Sequence, residues 1–208
     1  QSLKGGPDLA VKAVDGVTFN VKKGELFGVV GESGCGKTTM GRTILRLLEP
    51  TDGKVVFEDT DVTALDPEEV KKLRRRMQII FQDPYESMNP RLDVSRIIAE
   101  PLRIQGIVKN AVDARPYIEK ALEDVEMTPE EYLFRYPHEL SGGQRQRIAV
   151  ARALVLDPEF IVADEPVSML DVSIRGEILN LMLNLCRERG VTFLYITHYL
   201  ATARHICD

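Results

Sequence analysis

The 208-residue sequence predicts an α/β fold, with a mostly parallel sheet, covering helices and a helical insertion in the middle of the chain. Three observations carry that prediction. Short apolar runs of strand length alternate with amphipathic stretches of helical period. A glycine-rich loop lies between one such run and the helix that follows. The stretch from about Asp83 to Asp157 breaks the alternation with prolines and few β-branched runs.

Taken in order, Val17, Phe19 and Val21 alternate with Thr18 and Asn20, which predicts a strand over Val17–Val21 turned by Lys23-Gly24. Leu26–Val30 is a continuous apolar run, as a buried parallel strand requires. Thr38–Leu48 reads as a helix through Ile44, Leu45, Leu47 and Leu48, stopped by Pro50. Asp52-Gly53 turns into a strand over Lys54–Phe57. Asp66 then Pro67 opens a helix, with acid at its start (Glu68, Glu69) and base at its end (Lys71, Lys72, Arg74) to suit the helix dipole. Met77–Phe81 is the next strand. Prolines at 84, 90, 101, 116, 129 and 137 divide the insertion into short helical pieces. Phe160–Ala163 resumes the strands. A long helix follows, with Ile174, Ile178, Leu181 and Leu185 on one face and Gly190 at its end. Val191–Ile196 closes the series.

Composition narrows the function. Hydrophobic residues are 44% and charged residues 28%, the profile of a globular chain and not of a disordered or collagen-like one. Net charge is −5, against nucleic-acid binding, and the basic run Lys71–Arg76 is read as a solvated helix face. No apolar run approaches the ~20 residues that cross a bilayer, and Gln1–Asp15 has no signal-peptide pattern. Cys35, Cys186 and Cys207 have neither disulfide nor zinc-site spacing, so reduced thiols are expected.

Three motifs carry chemistry. Gly31-Glu-Ser-Gly-Cys-Gly-Lys37-Thr38 fits GxxxxGK[ST] between a strand and a helix. Its glycines let backbone N–H groups turn inward onto phosphate oxygens, and the helix N-terminus adds its positive end. Lys37 would reach the β- and γ-phosphates, and the Thr38 hydroxyl would hold Mg²⁺. In Phe160-Ile-Val-Ala-Asp164-Glu165-Pro166 an apolar strand ends in two carboxylates, where ligands of open α/β sheets bind. Asp164 is placed to hold Mg²⁺ and Glu165 to polarise the attacking water. Leu140-Ser141-Gly142-Gly143-Gln144 precedes the helical pattern Ile148–Leu156. It is either a second anion site at a helix N-terminus or a plain capped helix, and physics alone leaves both open.

The order GESGCGKT, FQD, LSGGQ, IVADEP, SMLD, ITH resembles the nucleotide-binding domain of ABC transporters over nearly the whole chain. The resemblance implies a P-loop NTPase (RecA-like) core with N-terminal antiparallel strands, residues 1–88 and 158–208, and a helical signature subdomain, residues 89–157. It implies two such domains paired head-to-tail, with ATP between the loop of one and the LSGGQ of the other. By matching position, Gly31, Ser33, Gly34, Cys35, Gly36, Lys37, Thr38 and Thr39 would wrap the phosphates. Thr38, Asp164 and Gln82 would serve Mg²⁺. Ser141, Gly142, Gly143 and Gln144 would meet the opposite subunit's ATP, and Asp171 would lie at the dimer interface. Glu165, His198 and Gln82 form the catalytic set, His198 as the switch histidine. A cap after a strand is the alternative for His198. His138 is expected to support the signature loop, and His205 to be surface or packing.

GRTILRLLEPTDGKVVF, MQIIFQDPYESMNPR, AEPLRI and RYPHELSGGQRQRIAVARAL further resemble the ATPases of oligopeptide/dipeptide importers. That implies a peripheral subunit at the cytoplasmic face of the membrane. Its partners would be a second ATP-binding subunit, integral permease subunits and, indirectly, an extracytoplasmic solute-binding protein. Nickel, glutathione or oligosaccharide are the alternative solutes; a translation or DNA-repair ATPase is the alternative class. Against the DNA-repair type, only 104 Pro-broken positions separate Lys37 from Ser141, too few for a long heptad insertion; against the translation type, one cassette is present where two joined by a charged linker are expected. Met88, Leu92, Ile97 and Ile98 are candidates for a permease-docking groove or for core. Two departures stand out. Gln1–Asp15 lacks the adenine-stacking aromatic and the sequence ends at Asp208, soon after His198, so by the resemblance the chain reads as trimmed at both ends. Tyr199 stands where the family usually has Asp.

Overall fold

The structure, a computed structural model, describes residues 12–207. The aromatic-free stretch Gln1–Asp15 therefore lies largely outside the described residues. Four parallel strands make the central sheet: β1 (Leu26–Val30), β4 (Met77–Ile80), β5 (Phe160–Asp164) and β6 (Thr192–Thr197), in the order β1-β6-β5-β4. A two-stranded antiparallel sheet, β2 (Val56–Phe57) and β3 (Thr60–Asp61), stands beside it. Helices are α1 (Lys37–Ile44), α2 (Pro67–Leu73), α3 (Pro84–Ser87), α4 (Val94–Ile104), α5 (Ala111–Glu123), α6 (Pro129–Tyr132), α7 (Gly142–Leu154), α8 (Val172–Arg189) and α9 (Leu200–Ile206).

The central strands β5 and β6 are buried on both faces, which explains their continuous apolar runs, whereas the edge strand β1, expected to be buried, is so only at Leu26, with Val30 exposed. On β5 and β6, Phe160, Val162, Leu194 and Ile196 face one apolar layer with Met40 of α1. The alternate residues Ile161, Ala163, Phe193 and Tyr195 face the other layer, shared with α7 and α8. Helix α1 lies close on the sheet because Gly41 has no side chain. A Cβ there would sit 2.9 Å from side-chain atoms of both Ile196 and Val162.

Several sequence expectations hold. Asp66 and Glu69 form a reciprocal capping box around Pro67 at the start of α2. Gly190 ends α8 in the left-handed region at φ 69°. Ile178, Leu181 and Leu185 are buried, and Ile174 is partly so.

Others are corrected. Val17–Val21 belongs to no ladder among the described residues, and Phe19 instead stacks on Phe27 at 5.2 Å. The antiparallel strands are therefore β2 and β3, and the expected strand at Lys54 starts only at Val56. Helix α1 stops four residues early. Arg46 adopts φ 49° and sends its guanidinium to the carbonyls of Val62 and Leu65. That tertiary contact replaces another helical turn.

Pro101 and Pro116 do not break the insertion; they lie inside α4 and α5. An interior proline costs ~3 kcal/mol. Helix α4 buries Val94, Ile97, Ile98 and Leu102 completely or nearly so, and each such side chain contributes ~1.5–3 kcal/mol. Packing outweighs the break. The same burial settles the docking candidates: Met88, Ile97 and Ile98 are core residues and Leu92 is packed against them.

Candidate functional site

The glycine-rich loop leaves β1 and enters α1. Gly34 and Gly36 have φ of 82° and 97°, a region L side chains avoid. These turns curl the loop into a concave backbone surface. Gly36 also caps α1 without a side-chain bond, and the Ala13 carbonyl lies so close that a Cβ at Gly36 would meet it at 2.0 Å. Lys37 is buried, and its Nζ donates to the carbonyls of Gly31 at 2.8 Å and Glu32 at 2.7 Å.

Thr38 Oγ1 donates to Asp164 Oδ1 at 3.0 Å, joining the first motif to the second. Asp164 is 3% exposed. Burial pushes its carboxyl above the ordinary range; the Thr38 hydrogen bond opposes this, and the neighbouring Glu165 charge adds to it. Glu165 follows with φ 48°, an uncommon state for a non-glycine residue that costs of order 1–3 kcal/mol. That twist takes the carboxylate off the strand. Its Oε2 accepts from Gln82 Nε2 at 3.2 Å and lies 2.9 Å from His198 Nδ1.

Ser33, Gly34, Cys35, Gly36, Lys37, Thr38, Thr39, Gln82, Glu165 and His198 line one cleft of about 610 Å³, with Lys12 and Ala13 on its rim. Gly31 does not line it; its carbonyl accepts from Lys37 Nζ instead. This volume lies in the ordinary range for a small-molecule site.

Ser141, Gly142, Gly143, Gln144 and Asp171 do not line that cleft. Ser141 caps α7 in a reciprocal box with Gln144. Gly143 packs tightly on α8, since a Cβ there would meet Ile174 Cγ2 at 2.6 Å. Gln144 Nε2 also donates to Tyr132 Oη at 3.1 Å. Asp171 stands at the N-terminus of α8 with no side-chain cap bond. His138 and His205 are exposed. In the lead-in to Ser141, the His138 ring stacks on Tyr136 with centroids 5.7 Å apart, Glu139 accepts from the Tyr136 amide at 2.7 Å, and Arg145 donates to the Pro137 carbonyl at 2.8 Å.

Residues 14–168 match the family model described as ABC transporter. The chain belongs to the ABC transporter family. Two Bacillus subtilis relatives are similar throughout. YkfD, named as an oligopeptide transport ATP-binding protein, is 51% identical over 98% of this chain and 61% of its own length. The oligopeptide transport ATP-binding protein OppF is 50% identical over 97% of this chain and 66% of its own. The chain thus spans about three fifths to two thirds of these relatives. The fold is that of solved ABC cassettes. A dimeric post-hydrolysis structure of the ATP-binding cassette MJ0796 bound to ADP and Pi superposes with a TM-score of 0.81. It is 34% identical and covers 92% of this chain and 82% of that one.

Sequence reasoning missed four contributors to this ABC cassette site. Lys12 and Ala13 border the cleft but carry no motif. Tyr199 lies against His198, with ring centroids 3.9 Å apart, and the Arg175 guanidinium lies 5.2 Å from the Tyr199 ring centre. The unusual residue at 199 was the one signal; Arg175 has none, because α8 brings it there only in three dimensions.

Proposed function

We propose that this chain is the ATP-binding part of an oligopeptide importer. It hydrolyses ATP at a head-to-tail dimer interface and drives separate permease subunits at the cytoplasmic face of the membrane. The reading rests on one observation above all: Lys37, Thr38, Gln82, Glu165 and His198 converge on one cleft, with Asp164 bonded to Thr38 beneath it. The peptide solute is supported by the names of the relatives YkfD and OppF. No helix of the described residues is long and apolar enough to cross a membrane. The core comprises residues 1–88 and 158–208, and residues 89–157 form the signature subdomain.

The loop amides and Lys37 bind the phosphates, and α1 directs its positive end at them. The Thr38 hydroxyl and the Asp164 carboxylate, 3.0 Å apart, with the Gln82 amide, form a hard-oxygen donor set of the kind Mg²⁺ takes together with phosphate oxygens. Bound there, Mg²⁺ would neutralise charge on the β- and γ-phosphates. Glu165 accepts a proton from the water that attacks the γ-phosphorus, and the β–γ bridging oxygen leaves with ADP. Gln82 and His198 hold the Glu165 carboxylate for that step. With Nδ1–H donating to Glu165, the second ring donor, Nε2–H of the imidazolium form, would serve the γ-phosphate. Ser141 to Gln144, and Asp171, act on the opposite subunit's nucleotide.

The test is Glu165→Gln in the full-length protein. Removing the base should cost about 10²–10⁴-fold in kcat, leave ATP affinity within a few-fold, and accumulate an ATP-bound dimer by size-exclusion chromatography. Near-normal turnover would remove Glu165 from this role.

A further inference from the structure

His198 is held on one side only by Glu165. Its side chain is 35% exposed, and among the described residues its single ring hydrogen bond is the one at Nδ1. One bond leaves the imidazole free to swing about it. The opposite constraint comes from Tyr199, whose ring centroid lies 3.9 Å from that of His198 at an interplanar angle of 40°. Tyr199 is itself 39% exposed, so core packing does not fix it. Arg175 of α8 does: its Cζ lies 5.2 Å from the Tyr199 ring centre, within cation–π range.

Arg175 is anchored in turn. Its Nε donates to the Leu170 carbonyl at 2.7 Å and a terminal nitrogen to the Ser168 carbonyl at 3.4 Å. Ser168 returns to the catalytic carboxylate's own backbone, since both its amide and its Oγ donate to the Glu165 carbonyl, at 3.1 and 2.9 Å. The contacts therefore close a ring: Glu165, His198, Tyr199, Arg175, the 168–170 turn, and Glu165 again.

From this ring we infer that Tyr199 and Arg175 are a positioning pair for ATP hydrolysis. Tyr199 holds the His198 imidazole in line with Glu165, and Arg175 fixes Tyr199 to the 168–170 turn. The inference rests on the proposed function, because it assigns a role within that reaction. Neither residue lines the cleft. Their loss should slow turnover without weakening ATP binding, since a small misplacement of an aligned group costs rate far more than affinity. The planar fork of arginine is needed both for the two carbonyls and for the ring face.

The experiment uses the full-length protein and two readouts. Steady-state hydrolysis of Tyr199→Ala should show kcat lowered about tenfold with KM for ATP within about twofold. Tyr199→Phe keeps the ring and should restore kcat. Arg175→Gln should fall in the same direction as Tyr199→Ala. In a His198→Ala background, Tyr199→Ala should add no further loss, because its effect passes through the missing ring. The second readout is the His198 imidazole proton resonances in nucleotide-free protein. They should move downfield in Tyr199→Ala, where the ring current is lost, and change also in Arg175→Gln. Wild-type kcat in Tyr199→Ala, no rescue by Tyr199→Phe, or an additive loss in the double variant overturns the pair. So does a His198 signal unmoved by either change, whatever the hydrolysis rate. Wild-type protein that hydrolyses no ATP while those signals do move overturns the proposed function instead.

Discussion

Lys37 is a charged side chain 8% exposed, stabilised by donating to two loop carbonyls. A buried ammonium tolerates that position only when such partners are present. The same two bonds hold the flanks of the loop in register for phosphate. Hydrogen bonds to a charged group contribute ~1.5–3 kcal/mol, and ~1.4 kcal/mol is a tenfold change in affinity. Lys37→Ala should therefore weaken ATP binding about 10- to 100-fold, measured by titration calorimetry; unchanged affinity would reject the loop assignment. The need for Lys37 was legible in the sequence, because GxxxxGK[ST] specifies a local backbone shape. Its present partners were not, since any carbonyl of the loop could have served.

Between elements, Arg76 links the small sheet to the central one. Its Nε bonds Glu159 at 2.6 Å, its terminal nitrogen bonds Glu58 at 2.6 Å, and its Cζ lies 4.8 Å from the Phe57 ring centre. Its backbone carbonyl accepts from the amides of Glu159 and Phe160 at the start of β5. The Arg76 hydrogen bond holds the Glu159 carboxyl below its ordinary range, and that of Arg76 is raised. A depressed carboxyl binds fewer protons folded than unfolded. Its stabilisation is present above the unfolded value of about 4.3 and is lost as pH falls through the folded value. Glu159→Gln should lower Tm at neutral pH, and the deficit should shrink as pH drops below about 4. A deficit constant with pH would show that the ion pair is not its source. None of these contacts could be read from sequence spacing: Arg76 and Glu159 are 83 positions apart. The elements themselves were more legible where a strong local signal existed, as in the Asp66-Pro67 start of α2 and the Gly190 end of α8. They failed where distant packing overrode local preference, at Arg46, Pro101 and Pro116.

At the scale of the molecule, the site divides in two. The cleft gathers the phosphate loop, Gln82, Glu165 and His198, while Ser141 to Gln144 and Asp171 stand away from it. On the proposed reading the second group completes the site of a partner. Ser141→Arg should leave ATP binding by the separate subunit within a few-fold, cost about 1 kcal/mol of stability through the lost cap, and abolish ATP-dependent dimer formation in size-exclusion chromatography. Dimerisation equal to wild type would exclude the head-to-tail arrangement. The sequence by itself determined the alternation of strands and helices, the phosphate-loop shape, the paired carboxylates at a strand end and the family. Each of these is set by residues near one another in the chain, through backbone freedom, periodicity or capping. Only the tertiary structure decided that Met88, Ile97 and Ile98 are core, that two prolines sit inside helices, and that Arg175 reaches Tyr199 beside His198. Those outcomes depend on which surfaces meet, and burial and charge act between residues that the chain order keeps apart.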